Sequence, residues 1–388
     1  MGSRSGTPRR RLGRRERRTV AGAVLLDLAV SSLFAWGVFV PELSRDLRVS
    51  GSALTIVFSV GLVGFTAGVL GGGYAADLVS PRRLAVVSAF GAVCGLLGTA
   101  AAGSVAAVVV AFGVVLGLST GMGYACAVRA AGTVAARRGL VLALVVSAYA
   151  GGTIVIAPVA AVLLDLVGRS GTFVVLAALT AVVLGTAAGL LSPDPPPCRS
   201  RTGRHGPVLT RNTVRLWMVF GLGSGPCLAA FGHAGELTTG ARAAALGVSL
   251  LSAGNLAGRL LAGPVSDRIG RPRALHGNAA LLVATCVVLA TADHRPTVLA
   301  ALLALGTQYG ALSVLVPAAT ADTIAAERLG ATYGAIFTGW GIAGLLAPLL
   351  TVQAAGRLGW DHAFLIFVVP ALLTWVVVAL PWRPSRDR

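Results

Sequence analysis

Lysine is absent from this chain of 388 residues, and all 32 of its basic residues are arginine. Charge of either sign is scarce, at 12% of residues against 55% that are hydrophobic. With a mean hydropathy of +0.82, the composition lies far from that of a soluble domain. The five cysteines (Cys94, Cys126, Cys198, Cys227 and Cys286) follow neither disulfide nor zinc spacing, and four lie in apolar stretches. That argues against a disulfide framework or a zinc site, and no cofactor is expected. No phosphate loop and no Ser–His–Asp arrangement is present. The clustered acids or histidines that a membrane-embedded lipid or prenyl transferase needs are missing too. The chain therefore does not read as an enzyme. Its net charge of +18 would suit nucleic acid, but the arginines sit in short loops and tails, where the positive-inside rule explains them without any nucleic acid.

What is there is a succession of apolar stretches, each long enough to cross a bilayer. Twelve spans are predicted, near 20–41, 52–75, 84–103, 106–130, 139–164, 170–192, 214–239, 245–265, 274–292, 297–321, 331–355 and 361–381. The fold class is thus all-α, a polytopic membrane protein. Residues 1–19 form an arginine-rich tail suited to the lipid surface, 20–192 a first six-helix bundle, and 214–381 a second. The Pro- and Arg-rich segment 193–213 reads as the linker between them, with 382–388 as a second tail. Arg82, Arg83, Arg137, Arg138, Arg199, Arg201, Arg204, Arg211, Arg268, Arg271, Arg273 and Arg328 fall on one side. The other side holds only Arg45, Arg48, Arg169, Arg242, Arg295 and Arg357. Both termini and the linker are therefore expected to be cytoplasmic, in a monomer spanning the cell (inner) membrane.

The two halves share a spacing. The turn from Gly73 through Asp77 to Arg82 and Arg83 is similar to the turn from Gly263 through Asp267 to Arg273. The offset that carries Asp77 to Asp267 also joins Arg138 to Arg328 and Ala157–Pro158 to Ala347–Pro348. Three coincidences at one spacing indicate a duplication, and parallel repeats of this kind place a substrate near the midplane between the halves. Pro158, Pro226, Pro317 and Pro348 each remove a main-chain hydrogen bond inside a span, as in helices that line a cavity or bend.

The run Gly263–x–x–x–Asp267–Arg268–x–Gly270–Arg271 resembles the signature turn of the major facilitator superfamily; the first copy departs from it at Leu78 and Ser80. Within that superfamily the chain resembles the oxalate/formate antiporter-like and monocarboxylate transporter families. The resemblance rests on the aromatic-rich stretch from Ser32 to Phe39, on Asn255–x–x–Gly258–Arg259, on Ala318 to Asp322, and on Gly330 to Gly344. It implies a major facilitator fold and carboxylate transport. It also implies gating roles for Asp77, Arg82, Arg83, Asp267, Arg268 and Arg271. Oxalate carriers pair the arginine of helix eight with a lysine in helix eleven. Here Thr338 and Trp340 occupy that region, which argues against a dicarboxylate. Monocarboxylate transporters carry an aspartate where Asn255 stands, so any proton coupling would need another acid.

Arg259 lies about seven residues, roughly 10 Å, from the nearest loop, too deep to snorkel easily. A buried cation is costly, and its planar fork suits a carboxylate. The substrate-binding set is expected to be Arg259 and Asn255, with Trp340, Tyr309, Phe34 and Trp36 lining an apolar wall. The competing role for Arg259 is an ion pair with Asp27. Three readings of Asp27 stand: a proton carrier, the partner of Arg259, or a hydrogen-bonded structural group. His233 and Glu236, three apart in the seventh span, are further proton-coupling candidates; a solvated outer vestibule would explain them equally well. The expected function is a secondary transporter of a small organic anion, a monocarboxylate, by proton symport or exchange for a counter-anion. The alternative is a proton-coupled drug or metabolite exporter, although the Gly-Pro-x-x-Gly-Gly signature of drug antiporters is lacking around Pro158.

Overall fold

The computed structural model describes residues 13–76, 78–134, 138–193, 207, 209–238, 241–292, 294–324 and 326–380. Asp77, Arg137, Cys198, most of the arginine-rich tail, two thirds of the linker and the second tail lie outside these. Among the described residues every regular element is helical. The first, α1 (Arg14–Leu47), includes a 3-10 stretch over Val30–Ala35. It is followed by α2 (Gly51–Ala75), α3 (Pro81–Ala101) and α4 (Val105–Gly132), the last with a π-helical stretch at Val109–Leu116. A helical run then extends over Arg138–Leu190. It comprises two spans: its apolar part of 51 residues is about 75 Å long, more than twice a ~30 Å hydrocarbon core. The break is Gly168, whose φ of 65° and ψ of −174° belong to a region open only to glycine. We call 138–167 α5 and 169–190 α6.

The second half contains α7 (Arg211–Gly232), the short helix Ala234–Thr238, α8 (Ala241–Ile269), α9 (Arg271–Thr291), α10 (Arg295–Thr323) and α11 (Ala326–Leu358). It closes with α12, a 3-10 stretch Trp360–Phe367 running into the helix Val368–Ala379. The helix starts repeat: Ala241, Arg271 and Arg295 follow Gly51, Pro81 and Val105 at the offset by which Asp267 follows Asp77. The boundaries follow local chemistry. Ser50, Ser80, Ser104 and Thr210 accept main-chain N–H groups at the starts of α2, α3, α4 and α7, which offsets the orphan donors of a first turn. Gly270 separates α8 from α9 at a φ of 89°.

Small residues bring the helices together along seams. On the α8–α10 seam, an added Cβ at Gly254, Gly258, Gly306 or Gly310 would fall 2.0–2.1 Å from a carbonyl oxygen of the facing helix. Main chain therefore touches main chain. The seam between α2 and α4 is built alike, through Gly68 and Gly121.

Between the halves, α5 packs on α8 and α2 on α11, while the distal part of α1 packs on α7 and α8. The proximal part of α1, and α4 and α10, make no extensive contact across. The halves are thus closed on the face opposite the two ends of the described chain. There the Phe231 carbonyl and Ala234 crowd Gly37, Phe58 lies on Gly232, and Arg242 holds Asp165 at 2.8 and 3.0 Å.

Candidate functional site

A narrow cavity of about 30 Å³ lies between the halves. Its polar end is set by α8. Arg259 is 8% exposed, ten residues before the end of α8 and so about 15 Å from it, deeper than the sequence suggests. Its Nε donates to Asn255 Oδ1 at 2.8 Å, one helical turn away, and its Nη1 donates across the halves to the Val146 carbonyl of α5 at 2.9 Å. The Tyr124 hydroxyl stands beside the same guanidinium. An amide, a carbonyl and a phenol are all neutral, and among the described residues no carboxylate pairs with this cation. Gly310 of α10 abuts the carbonyl of Asn255, so the α8–α10 seam sets the position of the arginine.

The remaining wall is aromatic. Trp340 of α11 donates from Nε1 to the Tyr309 hydroxyl at 2.9 Å, and its ring lies 5.1 Å from Phe337 and 5.5 Å from Phe65. Phe34 of α1 meets Tyr149 of α5 edge-on at 5.4 Å and Phe231 at 4.9 Å. Tyr333, Phe220 and Ser313 complete the lining. Rings in edge and tilted contact make a rigid apolar wall, against which the one guanidinium stands out.

Arg259, Asn255, Trp340, Tyr309 and Phe34 are thus brought together as expected. Trp36 is not: it packs its ring on Phe112, 4.8 Å away, inside the first half, because two residues along a helix point to nearly opposite sides. Sequence reading missed Tyr124, Tyr149 and Tyr333, whose hydroxyls inside apolar runs are the signal that was available. It also missed the Val146 carbonyl, which no side chain announces.

Asp27 is fully buried, with Oδ2 accepting the main-chain N–H of Tyr149 at 3.1 Å and Oδ1 without a partner. It forms no ion pair with Arg259; the two meet the same turn of α5 from opposite halves. His233 and Glu236 lie apart from the cavity lining, in the closed face. α7 ends at Gly232, so His233 caps it, donating from Nε2 to the Pro348 carbonyl (3.0 Å) with its ring 5.0 Å from Trp360. His233 is buried rather than in a solvated vestibule, and its Nδ1 is 3.9 Å from Glu236 Oε2. Glu236 in turn presses on Gly51 at the start of α2. Of the gating residues, Arg271 bonds Asp267 at 3.0 Å, Ser266 at 2.7 Å and Asp322 of α10 at 3.2 Å. Arg268 is exposed, as are Arg82 and Arg83 near the start of α3.

The sequence profile of the Major Facilitator Superfamily matches residues 20–240 and again 218–388. The chain belongs to that superfamily. An uncharacterized MFS-type transporter of Escherichia coli (strain K12), YhjX, is 24% identical over 341 residues, covering 84% of each chain. Superfamily membership accounts for the helix order and for the duplicated turn at Asp267. It also makes the protein a multi-pass membrane transporter and not an enzyme. The cavity between the halves is accordingly the candidate transport site.

Proposed function

We propose that the protein is a secondary active transporter of a small organic anion, a monocarboxylate with an apolar tail, working by alternating access. The observation that carries this is Arg259: one buried guanidinium held only by neutral groups, set in an otherwise aromatic wall. One positive charge matches one carboxylate, and the rings favour desolvation of the remainder. A second carboxylate would find no second cation in the lining. By the arginine distribution, the face carrying the termini is cytoplasmic in a cell (inner) membrane. Two coupling modes suit such a site, proton symport and exchange for a counter-anion.

The test is uptake into proteoliposomes of labelled acetate, lactate and benzoate against oxalate and succinate, with tetraphenylphosphonium as a lipophilic cation. Wild type is expected to take up monoanions. Arg259→Lys keeps the charge but loses the fork, and should weaken uptake about tenfold or more, the scale of one charge-assisted hydrogen bond. Arg259→Gln should abolish uptake in a folded protein. Transport of the lipophilic cation alone, indifferent to Arg259, would instead favour a drug or metabolite exporter.

A further inference from the structure

Asp27 is the one acid buried in the body of the bundle among the described residues. It stands on α1 opposite the α5 turn that Arg259 reaches from α8. The Tyr149 N–H of that turn points to Asp27 Oδ2, and the Val146 carbonyl, three residues earlier, points to Arg259 Nη1. Gly152 allows this approach, since a Cβ there would lie 2.1 Å from the Leu28 carbonyl of α1. We propose that Asp27 is the proton-binding site of the carrier, and that the Val146–Tyr149 turn ties its protonation to the arrival of an anion on Arg259. This rests on the anion-carrier reading above and chooses symport from its two coupling modes.

Charge balance links the two groups. Without substrate, a carboxylate at Asp27 is answered through space by Arg259, which is near enough to act on it without touching it. The other ionisable groups that face Asp27 are Tyr124 on α4 and Tyr149 on α5, and neither is a cation. A substrate carboxylate on Arg259 is a charged acceptor where the Val146 carbonyl is a neutral one, so it forms the stronger bond and displaces it. The guanidinium charge is then matched by the substrate, and Asp27 is left as an unanswered negative charge in a buried place. Asp27 lies behind the cavity lining, so the proton reaches Oδ1, the oxygen with no donor, from water admitted when the Val146 contact opens. One O–H bond forms, nothing is oxidised or reduced, and the loaded site has the same net charge as the empty one. When the anion leaves, the field of Arg259 returns and the proton leaves with it. By reciprocity, protonation assists anion binding by the factor with which the anion assists protonation.

The test uses the full-length protein in proteoliposomes with labelled lactate, a monoanion. One proton per anion allows about tenfold accumulation for each unit of pH gradient, alkaline inside. Wild type is expected to approach that limit, and to show no accumulation driven by a membrane potential without a pH gradient. Asp27→Asn keeps an acceptor for Tyr149 but cannot exchange a proton. It should lose gradient-driven accumulation while lactate-loaded vesicles still show counterflow. Accumulation persisting in Asp27→Asn, or loss of counterflow together with it, would overturn the proposal and leave the carrier reading intact. Potential-driven accumulation by wild type would do the same. Absence of both uptake and counterflow in wild type would overturn the carrier reading, and the proton site with it.

Discussion

Gly310→Ala is the substitution by which the positioning of Arg259 can be tested without touching Arg259. A Cβ at Gly310 would lie 2.0 Å from the Asn255 carbonyl oxygen, and ordinary contact begins near 3.4 Å, so α10 and α8 would have to part to admit it. Both atoms belong to helices, so no rotamer change relieves the clash. Gly254, Gly258 and Gly306 occupy the same seam, so sliding along it meets equivalent contacts. Overpacking of this kind costs about 1–3 kcal/mol of stability. The functional cost is larger than its share. Asn255 holds Arg259 through a 2.8 Å bond, and Tyr309, the neighbour of Gly310, holds Trp340 through one of 2.9 Å. Parting the helices far enough to seat the methyl carries Asn255 and Arg259 together away from the Val146 carbonyl of α5, and carries Tyr309 away from Trp340. Loss of a hydrogen bond to a charged group, about 1.5–3 kcal/mol, corresponds to roughly ten- to hundredfold in affinity. The assay is initial lactate uptake against concentration, normalised to reconstituted protein, with thermal unfolding followed alongside. Gly185→Ala in α6, with nothing within 4 Å of the new methyl, is the control. Equal half-saturation and equal rate in the two variants would refute the claim that the seam places the arginine.

Two further outcomes are expected. Arg242 and Asp165 join the halves on the closed face but are largely exposed, so Asp165→Asn should shift the resting conformer by no more than about fivefold, the scale of a ~1 kcal/mol surface pair. The charge swap Asp165→Arg with Arg242→Asp should restore it; cysteine labelling from that face reads the shift, and no recovery in the swap would deny the pair a gating role. On the opposite face Arg271 is anchored by Asp267 and Asp322 at once. Asp267→Asn and Asp322→Asn should each slow the cycle without changing half-saturation, and a change in half-saturation at constant rate would contradict this.

How far the sequence reveals the molecule depends on whether a feature is local. The helices and their repeat are legible because caps and turns are local, and duplication copies them: Ser80 before Pro81 and Gly270 before Arg271 mark the same boundary twice. Arg259 is legible because a cation in an apolar helix is an anomaly in any reading. Trp36 was misassigned although helical geometry alone separates it from Phe34. The closed face was not legible, since Glu236 meets Gly51 and Phe231 meets Gly37 only when distant segments dock. Nor was the Val146 carbonyl, because every residue has one and only the fold selects which is used.

The duplication also explains why the site is chemically one-sided. At the offset that joins Asp77 to Asp267, Phe65 stands where the second half has Asn255, and Val69 where it has Arg259. The two copies keep the same backbone seam, with Gly64 and Gly68 matching Gly254 and Gly258, and diverge at the residues that follow these glycines. The cation therefore comes from one half, while the buried acid, Asp27, comes from the other. Alternating access moves the halves against each other, so a bond that crosses between them must break in each cycle. Arg259 to Val146 and Arg242 to Asp165 are such bonds. The second is exposed to solvent, where water can replace it cheaply. The first is buried, and a guanidinium leaving a carbonyl there needs another acceptor in its place. On the proposed reading, an arriving carboxylate supplies one. The substrate then both fills the site and releases the contact that holds the halves, so an empty carrier should turn over more slowly than a loaded one. Counterflow of lactate faster than its net efflux, at equal pH on both sides, is the expected result; equal rates would show that the Val146 contact does not restrain the empty carrier.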